Sequence, residues 1–278
     1  MKPHPKASAI IDCAQSALRA EVVSIDRLEA AERARMFELM RQYYDGMAEE
    51  RFLLDLSNKH AVILLRDEVE NKIRGFSTLR VIHARLGNKR LRGVFSGDTV
   101  IEKRFWGQRT LGKAFLRFLF FEKLKRPLGP LYWLLISKGY KTYLMMANNF
   151  SEHYPRFERP TPASKKAIMD AFYAELYPSN YDPKTGLIKF SDEHECLKSG
   201  VAGISNSLLA SNRRAAFFQK ANPQWNRGVE LACIAQMSLF MPFYYALKVL
   251  AKDRMIQPAT RLCRFLFSFP KERSHTNE

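Results

Sequence analysis

The chain is poor in residues that would betray a chemistry by motif. Its four cysteines, Cys13, Cys196, Cys233 and Cys263, lie far apart with no Cys-x-x-Cys pair. That argues against a disulfide framework and a cysteine zinc site. With no secretory leader at the N-terminus, it points to a reducing, cytoplasmic setting. His60, His83, His153 and His194 fall in separate segments, and none has a partner four residues on. His194 and Cys196 resemble ligands only in composition, so no metal is expected. A Gly-x-Ser-x-Gly elbow is absent and a Cys–His nucleophile has no support. No internal repeat or low-complexity tract is visible, and no apolar run has the length to span a bilayer.

Acidic residues are also scarce, 28 against 45 basic, for a net charge of +17. A field of that sign suits polyanions: nucleic acid, anionic lipid, phosphorylated cofactors or an acidic carrier protein. No zinc-finger spacing, RNP-type aromatic motif or arginine-rich arm occurs, so nucleic acid has charge alone in its favour and is set aside.

The 278 residues are 46% hydrophobic, enough for one large domain or a domain with an insertion. Period and turn residues predict a strand at 21–25, with Asp26 capping an amphipathic helix over 27–44. A short helix or turn at 52–56 leads to strands at 60–66 and 73–83, paired as a hairpin. A third strand over 91–102 ends in a basic turn, and a helix covers 110–125. Pro127, Gly129 and Pro130 break it before a buried strand at 131–136. Beyond lie a helix over 163–176, a loop over 177–184, a helix over 208–222 and a final strand at 228–237.

The most informative stretch is Val100–Leu119, VIEKRFWGQRTLGKAFLRFL. It joins a strand to a helix through a turn carrying Arg109-x-x-Gly112-x-Ala114. First-turn amides of a helix lack internal partners, and the dipole favours an anion there. Gly112 admits close approach of backbone to a ligand, and Ala114 keeps the next turn slim. Basic residues at a helix N-terminus oppose the dipole, which favours an anionic ligand over a merely solvated face.

This turn resembles the pyrophosphate-binding turn of the GCN5-related N-acetyltransferase (GNAT) family, Gln/Arg-x-x-Gly-x-Gly/Ala. The order of elements over about 20–140 is similar to that family's. Leu208–Asn222 resembles its second signature, Asn-x-x-Ala-x-x-Leu/Phe-Tyr-x-Lys, with two departures. Ser211 takes the usual Asn place, with Asn212 one position late, and Phe218 stands where many members carry a tyrosine that protonates the leaving thiolate. The implied fold is mixed α/β, a central mixed sheet flanked by helices. Three parts are expected: an N-terminal arm (1–19), the domain (20–237, with an insertion over about 141–206) and a C-terminal helical extension (238–278).

The resemblance implies acyl transfer from a thioester to an amine, with acyl-CoA or acyl-phosphopantetheine as co-substrate and no metal. Main chain of Val100 and Ile101 would contact the pantetheine arm or carbonyl. Lys103, Arg104, Gln108, Arg109, Gly112, Lys113 and Ala114 would hold phosphate. Glu102 is the first general-base candidate and Asp98 the second. The plainer readings are a surface ion pair of Glu102 with Lys103 or Arg104, and a bulge or turn role for Asp98. Tyr140 or Tyr143 could replace the missing tyrosine, against an ordinary core or rim role.

The charge, the phenylalanines and the apolar segments Met237–Leu250 and Arg261–Phe269 rank a long-chain donor on an acidic acyl carrier protein ahead of acetyl-CoA. The N-acyl amino acid and acyl-homoserine lactone synthases use such donors. An acetyl-CoA-dependent N-acetyltransferase and a non-catalytic lipid- or protein-binding module are the alternatives. The C-terminal segments either pack on the domain or make peripheral membrane contact. The insertion would shape the pocket for a small-molecule or lipid amine.

Overall fold

A computed structural model describes residues 17–190, 196–198 and 203–240. The expected arm up to residue 16, His194, and the apolar and basic segments beyond residue 240 lie outside the described residues. The chain divides into two compact units, 1–237 and 238–278.

β1 (Leu18–Ser24) precedes α1 (Ala30–Tyr43), whose N-cap is Glu29. Glu29 and Glu32 form a reciprocal capping box, the Glu29 amide donating to Glu32 at 3.0 Å. Asp26, the expected cap, falls instead in a separate 3-10 turn, Ile25–Arg27. β2 (Tyr44–Asp45) and α2 (Glu49–Ser57) lead to β3 (Ala61–Asp67) and β4 (Ile73–Leu86), the expected hairpin. β5 (Lys89–Ile101) pairs back on β4 across a turn where Gly87 holds φ +55°. α3 (Thr110–Leu124) and β6 (Leu131–Ser137) complete the predicted order.

After β6 comes a helix that the sequence reading did not foresee, α4 (Tyr140–Asn149), then the two-residue β7 (His153–Tyr154). α5 (Ala163–Leu176) matches its expected bounds, and short strands β8 (Tyr181–Asp182), β9 (Leu187–Ile188) and β10 (Cys196–Leu197) follow. The helix expected over 208–222 is two: α6 (Asn206–Ser211) and α7 (Arg213–Ala221). Asn212 breaks the run because its side chain accepts from the amides of Arg214 and Ala215, capping a new helix. β11 (Glu230–Met237) is the last strand among the described residues.

The main sheet is mixed, in the order β1-β3-β4-β5-β6-β11-β9-β8, with β7 also on β11. Among the described residues its only parallel pair is β5 with β6. Period-two alternation sorts the side chains between layers. Tyr132 and Leu134 of β6 pack with Phe172 and Tyr173 of α5. Trp133, between them, stacks instead on Phe115 of α3 at 4.7 Å and on Phe150 at 4.8 Å. Val62 and Leu64 of β3 join Met36, Leu39 and Met40 of α1 in a second cluster.

Helix α5 is therefore part of the core. Phe172 is fully buried, and an added Cβ at Gly93 of β5 would meet its ring at 3.1 Å. Phe172→Ala is expected to cost about 3–5 kcal/mol of unfolding free energy in a denaturant titration. A loss below about 1 kcal/mol would make α5 an appendage.

Candidate active site

β5 and β6 run together only from Gly93–Ser96 against Tyr132–Leu135. Beyond Ser96 the two strands part. β5 continues on β4 alone, to Ile101 opposite Gly75, while β6 continues on β11. The cause lies in the register: Leu79 faces Ser96, yet Ser77 faces Thr99, so β5 carries one extra residue at Gly97–Asp98. Such a bulge bends its strand and raises its twist. Gly97 admits no side chain, since a Cβ there would come within 2.6 Å of Thr78 Oγ1.

The parting opens a cleft of about 210 Å³. Asp98 and Thr99 line it from β5, Asp55 from α2, and Lys59 from the turn after α2. Ile136 lines it from β6, Lys138 from the β6–α4 turn, Tyr177 from the end of α5 and Glu230 from β11. Lys59 pairs with Asp55 at 2.7 Å, and Lys138 with Glu230 at 3.4 Å. Burial, then the charges of Glu230, Asp55 and Asp98, hold the Tyr177 hydroxyl well above its ordinary pKa. It stays protonated among the three carboxylates.

Helices α3 and α4 both start without a capping side chain. α3 has neither a side-chain cap nor an acid in its first turn, and its first helical bond runs from the Lys113 amide to the Arg109 carbonyl at 3.0 Å. The amides of 110–112 precede that bond, and the space a Cβ at Gly112 would enter is open. α4 likewise starts without a side-chain cap or acid after Gly139. Its Lys141 ammonium sits 4.1 Å from the centre of the Trp106 ring, in the turn that leads to α3. Burial, and then Lys103, lower the pKa of Lys141.

The turn itself is rigidly held. Gly107 takes φ +90°, the Trp106 indole N–H donates to the Ile101 carbonyl at 2.7 Å, and the Lys103 amide donates to Tyr43 Oη at 2.7 Å. Gln108 uses its carbonyl oxygen to accept the Leu18 amide at 3.3 Å. Arg104 lies over the Phe105 ring at 4.6 Å. Lys113 and Ala114 face a separate groove with Ala20, Val22 and Arg117. The Val100 side chain is buried in the α1–α2 cluster.

The other candidates separate sharply. Glu102 is absent from the cleft lining; its carboxylate meets Arg35 at 2.6 Å, Arg104 at 3.1 Å and Arg74 at 3.4 Å. The ion-pair reading thus describes its surroundings, with two arginines beyond the neighbour foreseen. Tyr143 is 1% exposed, donates its hydroxyl to the Pro155 carbonyl at 3.1 Å and packs on Phe217 and Phe218. Burial raises its pKa. Tyr140 is half-buried at the start of α4.

Asn212, rather than Ser211, caps α7. Gln219 Oε1 is buried without a partner among the described residues. Asp55, Lys59, Lys138, Tyr177 and Glu230 were not singled out in the sequence. Only the i, i+4 spacing of Asp55 and Lys59 gave any signal.

No family model and no curated protein matches the chain. Solved structures similar to it include a GNAT-family N-acetyltransferase, YhbS, from Escherichia coli in complex with CoA. Identity is 13% over 49% of this chain and 70% of that chain, with a TM-score of 0.34. Another is the ribosomal-protein-S18-alanine N-acetyltransferase of Escherichia coli, at 15% identity over 51% of this chain and 87% of that one, TM-score 0.33. A third is NAA60 of Arabidopsis thaliana in complex with acetyl-CoA, at 10% identity over 49% and 87%, TM-score 0.36.

His153 offers a test of the packing around α4. It is 1% exposed, donates from Nδ1 to the Phe150 carbonyl at 2.8 Å and has no partner for Nε2 among the described residues. Burial holds its pKa below the ordinary value. The unfolded chain takes up this proton near pH 6.5 and the folded chain only lower, so the stability is complete above about pH 6.5 and is lost below it. Urea titrations at about pH 7.5 and 5.5 should show that loss, and His153→Gln should reduce it. An equal loss in the variant would assign it to other groups.

Proposed function

We propose that this chain transfers an acyl group from an acyl-CoA thioester to an amine. The observation that carries the reading is the cleft between β5 and β6, with the bulge carboxylate Asp98 in its wall. The basic turn and the two uncapped helix starts support an anionic donor. The amides of 110–112 and the side chain of Lys113 would take its phosphates. The acceptor nitrogen attacks the thioester carbonyl carbon, the carbon–sulfur bond breaks, and the thiolate leaves as a thiol.

Asp98 serves as the general base, taking the proton that the nitrogen gives up. Its place in the cleft supports it over Glu102, which three arginines engage. The thiolate's proton would come from Tyr140, at the start of α4. Tyr143 is a poorer choice because its hydroxyl is donated to Pro155. A cleft of about 210 Å³ supports a short acyl group such as acetyl over the long-chain, carrier-borne donor. It lies below the roughly 300–1,000 Å³ of usual ligand pockets.

Acetyl-CoA and palmitoyl-CoA should be titrated against the purified chain by native mass spectrometry, with thiol release then followed over a panel of amines. Acetyl-CoA is expected to bind the tighter. Asp98→Asn should lower kcat by about 10²-fold or more with little change in acetyl-CoA affinity. Glu102→Gln should act chiefly on stability, because it removes a counter-charge that Arg35, Arg74 and Arg104 share. Failure of both thioesters to bind would sink the transferase reading and favour a non-catalytic binding module. Tighter binding of palmitoyl-CoA would restore the long-chain donor.

A further inference from the structure

The largest grouping of exposed apolar side chains in the described residues takes no part in the cleft. Phe121 (53% exposed), Leu124 (46%) and Leu128 (99%) succeed one another at i, i+3 and i+7 from the last turns of α3 into the turn that follows. Val22 of β1 (48%) shares a groove with Phe121.

Leu128 projects from a braced turn. Pro127 and Pro130 flank it, Lys123 Nζ donates to the Gly129 carbonyl at 2.6 Å, and the Gly129 amide donates to the Arg126 carbonyl at 3.2 Å. An apolar side chain held this far out of a turn loses little freedom when it meets a partner.

Charge around the patch has one sign. Arg117 lies over the Phe121 ring at 5.6 Å, and Lys125 and Arg126 flank Leu128. The one acid between 110 and 130 is Glu122, 5% exposed and paired with Arg92 and Lys125. Anionic headgroups would meet the cations while the apolar side chains enter the acyl boundary.

We propose that this corner of α3 docks on anionic lipid membranes, with Leu128 and Phe121 entering the interface. A fluid surface accepts a lone projecting leucine without a matching pocket, which a protein partner would have to supply. The patch lies outside the cleft, and Leu128 and Arg126 take no part in the acyl-transfer reading, although the groove holding Phe121 and Val22 also includes Lys113.

The full chain should be sedimented with phosphatidylcholine vesicles, with and without phosphatidylglycerol. Binding is expected only when the anionic lipid is present. Leu128→Asp and Arg126→Glu should each weaken it by about tenfold or more, with unchanged thermal unfolding because both side chains are exposed. Acetyl-CoA titration of the same variants reads the transferase proposal separately.

No sedimentation of the wild type would overturn the inference, as would wild-type binding by Leu128→Asp, which would put lipid contact elsewhere on the chain. A fall in mass by light scattering in Leu128→Asp would identify a second copy as the occupant instead. Binding of an acidic carrier protein that Arg126→Glu abolishes, with vesicle binding intact, would assign the corner to a protein.

Discussion

One extra residue in a strand opens the cleft on which the proposed function rests. Two parallel strands inside a sheet would otherwise stay in register to their ends, and the sheet would offer no opening. The bulge at Gly97–Asp98 keeps β5 on its antiparallel partner while releasing it from β6. It also fixes the chemistry of the opening, since the residue it displaces is an aspartate that lines the cleft. Glycine beside it is required by space, with Thr78 and Lys59 both too close for a side chain.

Electrostatics arranges the rest around that opening. Lysines and arginines at a helix start raise the energy of the unliganded fold, and α3 has no acid there to relieve them. Relief comes from elsewhere in part: Glu102 draws Arg104 together with Arg35 and Arg74, and Lys141 rests on an indole ring. The carboxylate nearest the turn in sequence is thereby consumed by structure. In the cleft, Asp98, Asp55 and Glu230 surround Tyr177, which burial first and then their charges keep protonated.

Much of the scaffold was legible because its signals are local. The hairpins follow from alternation and turn residues, and α5 from an apolar period bounded by Pro162 and Pro178. α4 was missed because it begins without a capping side chain, and the break at Asn212 because a capping asparagine inside a helical period looks like any polar residue. Asp98 could be named as a candidate from its strand, but nothing in the sequence could rank it above Glu102. That ranking depends on Arg35 and Arg74, brought from 67 and 28 residues away. The cleft's other polar residues come from β2, α2 and the turn after it, the β6–α4 turn, α4, the end of α5 and β11, segments with no common spacing.

The Gln108 side chain has a consequence for how the sheet edge behaves. By accepting the Leu18 amide, it ties the first residue of the edge strand to the turn that opens α3. The edge of the sheet and the start of the helix are thus fastened at one point, ninety residues apart in the chain. A ligand that stiffens this turn would slow the fraying of β1, so that hydrogen exchange at the sheet edge reports on occupancy of the turn.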